Sequence, residues 1–130
     1  MSVFVDNIEK LTLENNNYRK VINTSANSQL VLMSIKPNQR IDKEIHDLND
    51  QFFRIEQGTA KIIINGTEYT AQDDFAIVVP AGAEHEVINV SDEDLKLYTI
   101  YSPPHHPEGT IHETKEQADE YEKSEHSEVI

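Results

Sequence analysis

The chain has 130 residues, which is enough for one domain with a single hydrophobic core. Its 24 acidic and 11 basic residues give a net charge of −13, which argues against nucleic acids and anionic membrane surfaces as partners. No cysteine is present, so disulfides, zinc–thiolate sites and thiol nucleophiles are excluded. The start of the chain lacks a basic, apolar leader and no apolar run reaches membrane-spanning length, so we expect a cytoplasmic protein.

Residues 1–16 are predicted to form an N-terminal arm. Ile8, Leu11 and Leu13 fit a short helix and an irregular arm about equally well. Residues 17–104 follow as a series of short β-rich runs separated by turn signals, roughly every 8–12 residues, which is typical of an antiparallel sandwich or barrel. An immunoglobulin-like sandwich is the alternative, but the cysteine and tryptophan that would support it are missing. The predicted strands are 18–22, 29–35, 52–56, 61–64, 68–70, 75–79, 86–90 and 95–101.

Residues 105–130 are predicted to form a C-terminal capping segment and an acidic, partly disordered tail. Ser102-Pro103-Pro104 ends the strand region, because proline cannot continue a hydrogen-bonded ladder. Next come three histidines, His105, His106 and His112. We favour the interpretation that this segment caps the barrel rim, and a second metal site is the alternative. A helix is predicted over 115–123 and disorder over 124–130.

Two polar segments carry the candidate chemistry. Residues two apart on a strand share a face, so Glu44 and His46 are expected to project together. Gln51 opens the next strand, with Phe53 and Ile55 as its inward-facing partners. The first segment consists of Glu44, His46, Gln51 and Gly58, and the second of Pro80, Gly82, His85 and Asn89.

The spacing of these residues resembles the two motifs of the cupin superfamily, G-x5-H-x-H-x3-4-E-x6-G and G-x5-P-x-G-x2-H-x3-N. The resemblance implies an all-β cupin fold, a double-stranded β-helix or jelly-roll barrel with a short N-terminal arm and a C-terminal extension. It also implies that Glu44, His46, Gln51 and His85 converge on a divalent transition metal, namely Fe, Mn, Zn or Ni. The chain has Asn38 and Asp74 where the motifs have glycine, and both residue types tolerate left-handed backbone.

Two further departures change the ligand set. Glu44 replaces a histidine and Gln51 replaces the glutamate, so the set holds two imidazoles, one carboxylate and one amide. Two histidines and a carboxylate suit Fe(II), Mn(II) or Zn(II). Gln51 could coordinate weakly, or hydrogen-bond to a metal-bound water, which we favour. Glu44 is also the candidate catalytic base if the metal is held by the histidines alone, and a barrel that holds no metal is the alternative.

A closer resemblance covers most of the chain. Stretches such as Asp50–Glu56 and Leu97–Pro107 resemble a bacterial subgroup of single-domain cupins described as similar to mannose-6-phosphate isomerase. This implies a small-molecule ligand, namely a sugar, a sugar phosphate or a keto acid, and an isomerase, epimerase or dioxygenase activity. Arg40 is the one basic residue that supports a phosphate. A non-catalytic, metal-free ligand-binding cupin and a partner-binding role of the tail are the alternatives. An outward Phe52 beside Arg54 predicts a homodimer.

Overall fold

The computed structural model describes residues 3–128, with side chains described through Lys123. The described residues form ten strands and two helices, which confirms the predicted all-β fold. In chain order the elements are α1 (Ile8–Glu14), β1 (Arg19–Thr24), β2 (Gln29–Ile35), β3 (Arg40–Ile45), β4 (Asp50–Gln57), β5 (Ala60–Ile64), β6 (Thr67–Ala71), β7 (Ala76–Val79), β8 (Glu84–Asn89), β9 (Leu95–Ser102), β10 (Ile111–His112) and α2 (Lys115–Glu128).

The strands form two antiparallel sheets that enclose the core. Six strands pair in the order β10-β1-β2-β9-β4-β7, and four pair in the order β3-β8-β5-β6. Buried side chains alternate along strands such as β4 and β8, and the apolar ones meet between the sheets, which is the arrangement expected of a jelly-roll barrel. The most deeply buried of them include Val31, Ile35, Phe53, Ile55, Ile62 and Leu97.

Turn residues adopt the backbone conformations that the sequence predicts. Asn65 and Gly66 have φ values of 48° and 83°, as a type I′ turn between β5 and β6 requires. Asn38 and Asp74, which replace motif glycines, have φ values of 69° and 72°. Both positions therefore demand left-handed backbone, which Asn and Asp adopt at small cost.

A β-bulge in β3 decides which of its side chains face the barrel interior. Ile41 pairs with Val87, whereas Glu44 pairs with His85, so the register shifts by one residue between them. Without the shift, Glu44 would lie on the opposite face from Ile41, because side chains alternate along a strand. The extra residue turns Glu44 inward, and His46 two residues on follows it.

The N-terminal arm contains a helix, one of the two alternatives that its sequence allowed. The Asn7 side chain accepts a hydrogen bond from the Lys10 backbone N–H and so caps the start of α1. The helix packs against β2, β4 and β9. At its other end the buried Lys96 ammonium donates to the Asn15 carbonyl and to Asn16 Oδ1, which fixes the arm to the sheet.

The C-terminal segment continues the fold beyond Pro104. Its short strand β10 pairs with β1, with Arg19 opposite His112, a strand that the sequence did not predict. The helix predicted over 115–123 is present as α2 and runs on to Glu128, past the start of the predicted disorder. Residues 129 and 130 of that prediction lie outside the described residues. In the described part of the chain, neither helix is long and apolar enough to cross a membrane.

Two side chains on the outer face of β4 contact neighbouring side chains. Arg54 points outward as predicted and pairs with Glu56 at 3.1 Å and with Asp74 at 3.0 Å. Phe52 is half-buried rather than exposed, with its ring centroid 6.2 Å from that of Tyr98. The homodimer that an exposed Phe52 suggested stays a prediction.

Candidate functional site

Three of the four predicted ligands meet inside the barrel. One carboxylate oxygen of Glu44 and one ring nitrogen each of His46 and His85 lie within 4.8 Å of one another. Oε2 of Glu44 is 2.9 Å from Nε2 of His46. His46 is 8% exposed and His85 is 1% exposed, so the two imidazoles belong to the barrel interior.

The donor atoms of this cluster fit a shared cation. Nε2 of His85 is buried and has no hydrogen-bond partner within the described structure, and the buried Nε2 of His46 has only the Glu44 carboxylate oxygen beside it, at 2.9 Å. Buried polar atoms are nearly always satisfied, so an unpartnered His85 nitrogen beside a Glu44–His46 pair indicates a ligand-binding role. A metal with bonds of about 2.1 Å holds neighbouring ligand atoms about 3.0 Å apart, close to the observed Glu44–His46 separation.

Backbone and side-chain hydrogen bonds connect the two motif segments. The Gly82 N–H donates to the His46 carbonyl at 3.0 Å, and the Ala81 N–H donates to Asp50 Oδ1 at 2.9 Å. Nδ1 of His85 lies 3.4 Å from the Ala83 carbonyl, a weak contact that orients the ring and leaves Nε2 for the cluster. The Pro80–Ala83 turn therefore holds both histidines in register.

Gln51 is the fourth predicted ligand, and it lies inside the barrel beside Phe53 and Ile55 in sequence, all three being buried. Its Nε2 donates to Thr99 Oγ1 at 3.1 Å, while Oε1 is buried and has no hydrogen-bond partner among the described residues. The amide is thus anchored at one end, with its oxygen left to accept a hydrogen bond. Its assignment as a metal ligand stays a prediction.

The ionisation states of the cluster suit metal binding. Burial raises the pKa of Glu44, but contact with His46 and the charges of His46 and Arg19 outweigh it, so the pKa lies below its usual value. Burial lowers the pKa of His85 despite the Ala83 carbonyl and the Glu44 charge. At neutral pH the site therefore presents a carboxylate and a neutral imidazole, the forms that coordinate metals.

His105 packs beside Tyr101 and His46, and the role of the segment after β9 as a cap over the barrel rim stays a prediction. His105 stacks on Tyr101 with ring centroids 5.2 Å apart, and its ring lies 4.3 Å from that of His46. Nε2 of His106 is 3.2 Å from the Tyr101 hydroxyl. Over the residues that the structure describes, Glu44, His46 and His85 are the one group found with metal-binding spacing.

Acid should destabilise the metal-free protein through His106. Burial, together with the Arg19 charge, lowers the pKa of His106 to about 2. Below pH 6.5 the unfolded chain binds a proton at His106 that the folded chain does not. The free energy of unfolding therefore decreases by up to about 1.4 kcal/mol for each unit by which the pH is lowered. Urea unfolding in EDTA at pH 7.5 and 5.0 measures this slope. His106→Gln should reduce it, and an equal slope in both proteins contradicts the assignment.

Arg19 lies near the cluster and was not predicted from the sequence. It is 4% exposed, and its Nη1 lies 3.2 Å from Nδ1 of His112. Arg19 and Glu44 both line a cavity of about 40 Å³ that α2 closes with Ala118. No carboxylate of the described side chains comes within 4.0 Å of Arg19, although Asp42, Asp119 and Glu122 line the same cavity. The sequence signal that could have placed Arg19 inside is its spacing on β1, because it shares a strand face with Val21.

Comparison with known proteins decides the family. A family model described as Cupin domain matches residues 31–101, more than half of the chain. The chain belongs to the cupin family. Its jelly-roll topology and the inward Glu44, His46 and His85 agree with that membership.

Relatives of this cupin extend the likeness over most of its length. Uncharacterized protein L612 of Acanthamoeba polyphaga mimivirus is 52% identical over 114 residues, which cover 84% of this chain and 71% of that protein. Uncharacterized protein YrkC of Bacillus subtilis (strain 168) is 46% identical over 121 residues, covering 88% and 65%. This cupin therefore spans about two thirds of the length of these relatives.

A solved structure agrees with the whole fold. The crystal structure of BH2720 from Bacillus halodurans superposes with a TM-score of 0.90 at 42% identity, covering 92% of this chain and 95% of that chain. The likeness extends beyond the 31–101 region of the family model, because it covers 92% of the chain. The cupin superfamily is thus confirmed, and the mannose-6-phosphate isomerase-like subgroup stays a prediction.

Proposed function

We propose that this cupin binds a divalent transition metal through Glu44, His46 and His85 and binds or converts a small oxygen-bearing molecule there. The observation that carries the proposal is the convergence of three donor atoms within 4.8 Å, two of them buried imidazole nitrogens, of which that of His85 has no hydrogen-bond partner among the described residues. Fe, Mn, Zn and Ni all suit two imidazoles and a carboxylate. When bound, such an ion polarises a carbonyl or hydroxyl oxygen of a ligand.

Residues around the cluster support a sugar or a keto acid as the proposed ligand. Three protein donors leave positions open for substrate oxygens, and the buried Oε1 of Gln51 is available to accept a hydrogen bond from a ligand hydroxyl. Arg19 adds a buried positive charge near Glu44, which favours a ligand that carries or develops negative charge. These features support a sugar or a keto acid, with an isomerase, epimerase or dioxygenase activity as the reaction class.

A phosphorylated sugar receives less support. Arg40, the basic residue that the sequence offered for a phosphate, pairs with Glu86 at 3.0 Å. Lys43 lies 3.8 Å from Glu84 on the same sheet. Both cations are therefore already matched by carboxylates, and we rank sugar phosphates behind unphosphorylated sugars and keto acids.

Glu44→Gln tests whether the carboxylate is a ligand. The substitution keeps the size of the side chain but removes its charge, so affinity for Mn(II) or Zn(II) should fall by about 100-fold, as titration calorimetry would show. Asp42→Asn, two residues away on β3 but paired with Lys115 outside the cluster, is the matched control and should bind normally. Unchanged metal affinity in Glu44→Gln contradicts the ligand role and leaves Glu44 as the catalytic base.

A second candidate is a metal-free cupin that binds a small ligand without converting it. The 2.9 Å approach of Glu44 to His46 favours it, because a protonated His46 would pair with the carboxylate and satisfy both groups. In that case EDTA would leave the melting temperature unchanged, and a stabilising sugar or keto acid would be recovered unaltered. Stabilisation that depends on added metal excludes this second candidate.

A further inference from the structure

The cap residue His105 lies where an additional metal ligand would lie. Its ring centroid is 4.3 Å from that of His46, and the rings of His46 and His85 are 5.4 Å apart. Two imidazoles on one ion, with bonds of about 2.1 Å, have ring centroids about 4.5–5.3 Å apart. The His46–His105 spacing is therefore already close to that of two ligands on a shared metal.

Hydrogen bonds hold the backbone of His105 in place, whereas none holds its ring among the described residues. Oε1 of the buried Gln29 accepts hydrogen bonds from the His105 and His106 N–H groups at 3.1 and 2.9 Å. Nε2 of Gln29 donates to the His106 carbonyl at 2.7 Å. The cap is thus clamped to β2 at the position of His105.

The ring of His105 is held by ring contacts with Tyr101, His46 and His106 and by no hydrogen bond among the described residues. It is exposed on its outer side and contacts Tyr101 and His46 on its inner side. No hydrogen-bond partner for its ring nitrogens lies among the residues that the structure describes. His106 differs, because its ring bonds to the Tyr101 hydroxyl.

We propose that His105 turns inward when metal binds and supplies a third imidazole beside Glu44, His46 and His85. The inference rests on the proposed metal binding. His105 lies outside the group of three donors enclosed within 4.8 Å, so it reaches the ion by rotation of its side chain. Its ligation closes the mouth of the barrel over the metal, and a substrate oxygen would compete with the ring for that position.

X-ray absorption spectroscopy of the Zn(II)-loaded full-length protein counts imidazole ligands and tests this inference. We expect three imidazoles in the wild type, two in His105→Ala and three in His106→Gln, which keeps a hydrogen-bond acceptor for Tyr101. Zn(II) affinity should fall by about 10-fold or more in His105→Ala alone.

The outcomes separate this inference from the function on which it rests. Two imidazoles in a wild-type protein that binds Zn(II) tightly would overturn the role of His105 and leave the three-residue site standing. A wild-type protein that binds no Zn(II) overturns both proposals. Because the wild-type count alone is decisive, the test holds even if His105→Ala folds poorly.

Discussion

His85→Ala is expected to lower the affinity for Mn(II) or Zn(II) by at least about 100-fold, because it removes a ligand that no nearby group replaces. His85 is 1% exposed, and its Nε2 has no hydrogen-bond partner among the described residues. That nitrogen is therefore available to bind a metal in the cluster. Equilibrium dialysis against the metal, followed by elemental analysis, measures the loss.

The matched control for this variant is His112→Ala. His112 is also buried, at 7% exposed, but its Nδ1 bonds to Arg19 and it lies outside the cluster. Metal affinity should fall by less than about 10-fold in this control, because His112 supplies no atom to the cluster and acts on it only through Arg19. Equal losses in both variants would mean that general destabilisation, and not ligation, explains the effect.

Asn89→Ala is expected to reduce the free energy of unfolding by about 3 kcal/mol, because it leaves several buried polar groups without partners. Asn89 Nδ2 donates to the Ile35 and Glu93 carbonyls, each at 2.8 Å. Its Oδ1 accepts from the Ser91 N–H at 2.8 Å and from the Ser91 hydroxyl at 2.7 Å. One side chain thus joins the end of β8 to β2 and to the turn before β9.

Urea unfolding followed by circular dichroism at pH 7.5 measures this loss. Ser91→Ala is the control, since it removes the hydroxyl partner but keeps the amide bonds of Asn89, and should cost about 1 kcal/mol. A loss below about 1 kcal/mol in Asn89→Ala would contradict the structural role of this motif residue.

The sequence predicted the turns and most strands because their signals are local. Asn38, Asn65 and Asp74 adopt left-handed backbone, a property of the residue types themselves. The β3 strand was not among the predicted runs, because Arg40–Ile45 is mostly polar and its bulge interrupts the two-residue alternation. The two-residue strand β10 is too short for any pattern, and it forms only because β1 offers an edge.

The site was predicted in part. The spacing of the two segments gave Glu44, His46 and His85, which the structure brings together. It could not show that a bulge turns Glu44 inward, because register is set by pairing with β8. Arg19 and His105 were not linked to the site, since both reach it through pairings of the C-terminal segment, far away in the chain.

The central claim is that the Glu44–His46–His85 cluster is a metal centre, and the metal content of the wild-type protein tests it most directly. Protein purified without a chelating tag should carry close to one equivalent of a divalent transition metal per chain, or take it up on titration, because three metal-ligating atoms lie within 4.8 Å of one another. Less than about one tenth of an equivalent, with no uptake of Fe(II), Mn(II), Zn(II) or Ni(II), would contradict it.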